Sequence, residues 1–140
     1  MNYFFTQETE RTDKIQITIQ KRRYKMETAR DLLGVRESNM KRLEKEAPNL
    51  VHGFREFITD CFRPGALDRK QKEFMAVAAT VAVRCIPCVA HHANNAVKAG
   101  ATRNEVLEAA TIGVEVGGGP SLVVVRDHLM DFLDDIGNGL

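Results

Sequence analysis

The sequence predicts an all-α fold, a compact bundle of about six helices, and three observations carry that prediction. Apolar residues recur at three- and four-residue steps along most of the chain. Ala and Gly crowd residues 76–119, where small side chains let helices approach closely. Only Ile15, Ile17 and Ile19 alternate with the two-residue period of a strand. A lone strand has little to pair with, so residues 1–25 read as an N-terminal arm or tail, disordered or packed on a neighbouring subunit, or as sequence upstream of a true start at Met26. Residues 26–140 read as the helical domain.

Each helix has its own signals. From Glu37 onward, Met40, Leu43, Glu44 and Ala47 give a short first helix stopped before Pro48. Leu50, Phe54, Phe57, Ile58 and Cys61 mark the stripe of a second helix, ended by Arg63-Pro64-Gly65. Asp68 is the N-cap of a third, from Arg69 to about Arg84, with Phe74, Met75, Val77, Ala78 and Val81 towards the core. A fourth starts at Cys85, with Pro87 in its first turn, and stops at Gly100. Thr102 and Glu105 form a capping box that opens a fifth through Val106, Ala109, Ala110 and Ile112. Gly117-Gly118-Gly119-Pro120 breaks it, and Ser121 to about Ile136 makes the last helix. With no strand before them and no Gly-Lys-Ser/Thr after them, these glycines are not a phosphate loop, and close backbone approach explains them more simply.

Composition limits the function. The 140 residues are 44% hydrophobic and 28% charged, which is ordinary globular usage. No stretch approaches the roughly 18 uninterrupted apolar residues of a membrane span, and the start MNYFFTQETER has acids where a signal peptide needs an apolar run. A cytoplasmic location follows. The net charge of +1 divides into +3 over residues 1–25 (six Lys/Arg, three Asp/Glu) and hence −2 over residues 26–140. The basic run Lys21-Arg22-Arg23-Tyr24-Lys25 is read as solvated, and neither nucleic acid nor membrane is an expected partner. Three cysteines with one close pair do not make a disulfide framework. Cys61 is expected to be a buried, inert thiol.

The chemistry concentrates in Cys85-Ile86-Pro87-Cys88-Val89-Ala90-His91-His92. On a helix starting at Cys85, Cys88 lies about 60° and His92 about 20° from it in projection, so two thiols and an imidazole share a face. The helix N-terminus and Arg84 both favour thiolate over thiol. His91, about 100° round from His92, is expected to be a surface or packing histidine. Glu73 stands twelve positions before Cys85, about 18 Å away along a straight helix. Only a hairpin turning near residues 84–87, with crossed helix axes, would bring it towards His92. Two chemistries fit these residues: a redox dithiol, or a metal site formed by Cys85, Cys88 and His92 with Glu73 or water as the fourth ligand. A non-catalytic helical oligomer with buried cysteines is the third possibility.

Lys70-x-x-Glu73, the Ala-rich helix, Cys85-x-x-Cys88-x-x-x-His92, Ala96, Gly100-Ala101-Thr102, Glu105-Val106 and the later glycine-rich turn together resemble the AhpD-like alkylhydroperoxidase branch of the carboxymuconolactone decarboxylase superfamily, over roughly residues 48–135. The resemblance implies an all-α fold that assembles into trimers or hexamers. It implies a thiol-dependent reductase of hydroperoxides or disulfides, re-reduced by a lipoyl- or thioredoxin-type thiol donor and needing no bound cofactor. Residue by residue, it makes Cys88 the attacking thiol, Cys85 its disulfide partner, and Glu73 and His92 the proton relay. Members that decarboxylate carboxymuconolactone generally lack the cysteine pair; a related decarboxylase acting on a small organic acid is the alternative activity. Pro87 stands where the best-known peroxidase members carry a histidine.

Overall fold

The computed structural model describes residues 28–137 and 139. The helices are α1 (Ala29–Glu46), α2 (Pro48–Phe62), α3 (Arg69–Ala82), α4 (Ile86–Lys98), α5 (Arg103–Gly117), α6 (Gly119–Val124) and α7 (Met130–Gly137), with a π-helical turn (Val125–Leu129) joining the last two. Because that turn makes residues 119–137 one continuous rod, the described residues form six helical rods and no strand, the all-α bundle the sequence predicts. The expected strand at Ile15–Ile19 and the arm over residues 1–25 lie outside the described residues. Among the described residues, no helix is long and apolar enough to cross a membrane.

Local signals set most helix ends. The Asp68 side chain accepts from the Gln71 backbone N–H and the Asp68 backbone N–H donates to the Gln71 side-chain oxygen, and Thr102 does the same with Glu105. Glu105 also takes an ion pair from Lys70 at 2.9 Å, which ties the start of α5 to α3. The Thr102 backbone N–H, then Lys70, holds its carboxyl at about 2. After α4 the chain turns through Gly100 at φ +87°, and the N–H groups of Gly100 and Ala101 return to Val97 and Ala96.

The first helix differs from expectation. It begins at Ala29, well before Glu37, because Thr28 and Asp31 form a capping box of their own. The Ala29 N–H, left over by that cap, donates to Asp135 of α7 at 2.9 Å and anchors α1 to the end of the chain.

The core lies where α3, α4 and α5 meet the last rod. Val77 and Val81 from α3, Val89, Ala90 and Ala93 from α4, and Val106 and Ala110 from α5 close around Leu129 and Phe132. A Cβ on Gly113 would overlap the Ala78 carbonyl oxygen, and one on Gly117 would overlap the Ser121 side chain and stand 3.0 Å from the Ala82 carbonyl oxygen. These two glycines let α5 lie directly on the α3 backbone. Gly118 is needed for a different reason, its φ of +68° between α5 and α6, and nothing in the structure explains Gly119.

Met75 is exposed, not in the core, because two residues along a helix from Val77 is the opposite face. The larger correction concerns α2. Only Val51 of that helix is buried; Leu50, Phe54 and Phe57 are exposed, and Cys61, on the same outward stripe, is an exposed free thiol rather than a buried one.

Candidate active site

The turn between α3 and α4 creates the site. Val83 ends α3, Arg84 adopts the left-handed conformation at φ +58°, and the N–H groups of Arg84 and Cys85 return to Val81 and Thr80. This is the helix termination that Gly100 makes after α4, here achieved by a residue with a side chain, at a cost of about 1 kcal/mol. The chain reverses within three residues, so α4 runs back across α3. Cys85 becomes the N-cap of α4, and Pro87 occupies its first turn without forfeiting a hydrogen bond.

The sequence-predicted residues therefore converge. Cys85 and Cys88 are joined in a disulfide, with Cα atoms 5.2 Å apart. One turn beyond Cys88, His92 places Nδ1 2.8 Å from Oε2 of Glu73, whose side chain is completely buried. The expected crossed hairpin brings Glu73 and His92 together. Burial alone would raise the Glu73 pKa, but hydrogen bonds from His92 and Arg69 outweigh it and hold the carboxyl below its usual range.

Two partners of this pair went unread in the sequence. Arg69 donates to Oε1 of Glu73 at 2.8 Å, so each carboxylate oxygen has its own cationic or imidazole partner. Phe62, at the end of α2, stacks on the His92 ring with centroids 5.7 Å apart and carries the Arg69 guanidinium over its ring at 4.8 Å. Glu73 and Phe62 thus each touch both Arg69 and His92, a closed set of four side chains that leaves the imidazole little freedom to turn. The Arg69–Glu73 spacing of four was readable as a helix pair. Phe62 carried no signal, because it reaches the site from the far side of the Arg63-Pro64-Gly65 loop.

Beside Cys88 opens a cavity of about 710 Å³ between α1, α2 and the start of α4. Cys88, His91, His92 and Pro87 line it from α4; Cys85 does not. His91 is therefore a cavity residue, with Asn95 donating to its Nε2 at 3.2 Å. Burial first, then the charge of Arg36, push its imidazole down to about 4 from the ordinary 6.5. A base with a folded pKa below its unfolded one binds fewer protons when folded. Its contribution is therefore complete above about pH 6.5 and is lost as the pH falls towards 4. Urea unfolding midpoints should drop between about pH 7 and about pH 5, and less so in His91→Gln. An equal drop in both proteins would remove His91 as the cause.

The expected alternative of a metal on Cys85, Cys88 and His92 applies to the reduced chain alone, since sulfurs bonded to each other present no thiolate. Among the described residues no group of three or more His, Cys, Asp or Glu side chains is arranged to hold a metal ion.

Comparison with known proteins places this architecture. The profile of the carboxymuconolactone decarboxylase family matches residues 48–127, more than half of the chain. The chain belongs to that family. A solved carboxymuconolactone decarboxylase family protein of Legionella pneumophila is 35% identical, superposes with a TM-score of 0.71, and covers 76% of this chain and 95% of its own. A Thermotoga maritima family protein, described with a suggested part in the antioxidative response, is 28% identical with a TM-score of 0.68 over 77% of this chain and 91% of its own. An uncharacterized protein of Cupriavidus necator is 31% identical over 90 residues, 64% of this chain and 80% of its own. The family carries the AhpD-like resemblance read from the Cys-x-x-Cys and Glu73 motifs.

Proposed function

We propose that this protein is a thiol-dependent hydroperoxide or disulfide reductase of the alkylhydroperoxidase type. The observation that carries the reading is a closed Cys85–Cys88 disulfide at the N-terminus of α4, one helical turn from a buried Glu73–His92 pair, with Cys88 facing the cavity. The suggested antioxidative part of the Thermotoga maritima relative supports the same chemistry.

In the reduced protein, His92 takes the Cys88 proton on Nε2, because Nδ1 is engaged by Glu73. The Cys88 thiolate attacks the terminal oxygen of the hydroperoxide: the S–O bond forms, the O–O bond breaks, and the alkoxide leaves as the alcohol with the proton held by His92. Cys85 then attacks the resulting sulfenic acid, releasing water and closing the disulfide. Two electrons from an external dithiol, of lipoyl or thioredoxin type, reopen it. No bound cofactor enters the cycle. Leu50 and Phe57, exposed on α2, support the expected self-association, which the family resemblance puts at trimers or hexamers.

The deciding experiment counts thiols. After reduction and mild oxidation with a hydroperoxide, mass spectrometry should show the peptide containing Cys85 and Cys88 lighter by two protons, with one alcohol formed per disulfide and Cys61 still alkylatable. A peptide that keeps both thiols while peroxide is consumed, or a chain that consumes none, would refute the reading.

A further inference from the structure

The cavity over Cys88 is larger than the reaction requires. Hydrogen peroxide occupies little more space than a water molecule, about 30 Å³, whereas the cavity measures about 710 Å³ and so matches the roughly 300–1,000 Å³ of sites for organic ligands. Met40 of α1 and Phe54 and Ile58 of α2 supply its apolar walls, opposite Pro87 and the sulfur of Cys88.

Arg36, Lys41 and Arg55 line the cavity, and among the described residues two of these three cations are already paired. Lys41 is engaged by Glu37 at 2.7 Å and Arg55 by both oxygens of Glu44. Arg36, the third, has no hydrogen-bond or ion-pair partner among the described residues. Its charge is nevertheless felt on the cavity floor, at His91. A cavity lined by apolar side chains, a reactive sulfur and, among the described residues, one guanidinium without a partner has the polarity of an amphiphile.

We infer that the cavity takes the hydroperoxide of a medium-chain carboxylic acid, its carboxylate on Arg36, its chain along Met40, Phe54 and Ile58, and its O–O bond at Cys88. This rests on the thiol reductase reading of the same site, and the bond changes are those given above, with the hydroxy acid as the released alcohol. Arg36 acts as a specificity residue and takes no part in the electron transfer.

The test compares a hydroperoxide of decanoic acid with its methyl ester, which has the same chain and no charge. The acid should show a kcat/KM about tenfold above the ester, carried by KM, the scale of one charge-assisted contact at a partly open site. In Arg36→Gln the acid-to-ester ratio should collapse towards one, and Arg36→Lys should restore part of it. A ratio near one in the wild type, or the same ratio in Arg36→Gln, overturns the assignment. Should neither compound be consumed, the reductase reading fails and the site is judged separately, by calorimetry of decanoate against methyl decanoate on the oxidised chain. Decanoate binding that is lost in Arg36→Gln would keep the carboxylate site; absence of binding would remove it.

Discussion

Cys88→Ser is expected to abolish hydroperoxide consumption completely, while Cys85→Ser should consume about one equivalent and then stop. The asymmetry follows from which sulfur meets the substrate. Cys88 lines the cavity and Cys85 does not, although both sit at the N-terminus of α4 and both belong to the same disulfide. Without the Cys88 sulfur no S–O bond forms, and a serine hydroxyl is too weak a nucleophile to replace it. Without Cys85 the first attack proceeds, but the sulfenic acid on Cys88 has no neighbour with which to condense. A stopped assay that quantifies alcohol per chain separates the two, and a dimedone adduct on Cys88 should appear only in the Cys85→Ser protein. Cys61→Ser is the control, since that thiol lies exposed on α2. A Cys85→Ser protein inert from the first turnover, beside an active Cys88→Ser protein, would reverse the assignment of the two sulfurs.

The residues that sequence alone placed correctly are those governed by local physics. Asp68 and Thr102 cap helices through contacts that span three residues, and the structure keeps both caps. The same kind of signal was present at Thr28 and Asp31, where it shows that α1 starts at Ala29 rather than near Glu37. The pairing of Glu73 with His92 could be expected only as one consequence of a hairpin, because it depends on Arg84 entering a left-handed conformation that its side chain does not advertise. Arg69 reaches Glu73 at a readable spacing of four, but Phe62 completes the site through contacts across a loop, and no periodicity encodes those.

Cys61 shows the opposite failure. Leu50, Phe54, Phe57 and Cys61 form a clear stripe at helical spacing, which says that α2 has an apolar face but not what that face meets. Among the described residues it stays largely outside the core: α2 buries only Val51, and of this stripe Phe54 alone lines the cavity. A stripe that faces outward and a stripe that faces the core have the same period, so the period alone placed Cys61 inside, where the structure exposes it.

Glu73→Gln should lower kcat for hydroperoxide reduction by roughly 10²-fold, the scale of losing a positioned acid–base partner, with less effect on KM. Glutamine keeps the volume of the buried side chain and can still meet His92 and Arg69, so packing around Phe62 is preserved. What it removes is the negative charge that holds the His92 proton on Nδ1 and stabilises the imidazolium formed when Nε2 takes the Cys88 proton. An amide that presents its NH₂ to Nδ1 would force the proton onto Nε2, the nitrogen that has to accept one. The pH profile distinguishes this from simple destabilisation. The Glu73 carboxyl titrates below its ordinary 4.5, so the wild-type relay is intact above that pH and is lost as the pH falls through the lower folded value. The matching acid limb of kcat should vanish from Glu73→Gln, and no gain should appear on raising the pH. A variant that keeps full activity, or one whose loss is matched by a fall in the fraction folded, would make Glu73 a structural residue and leave His92 to act alone.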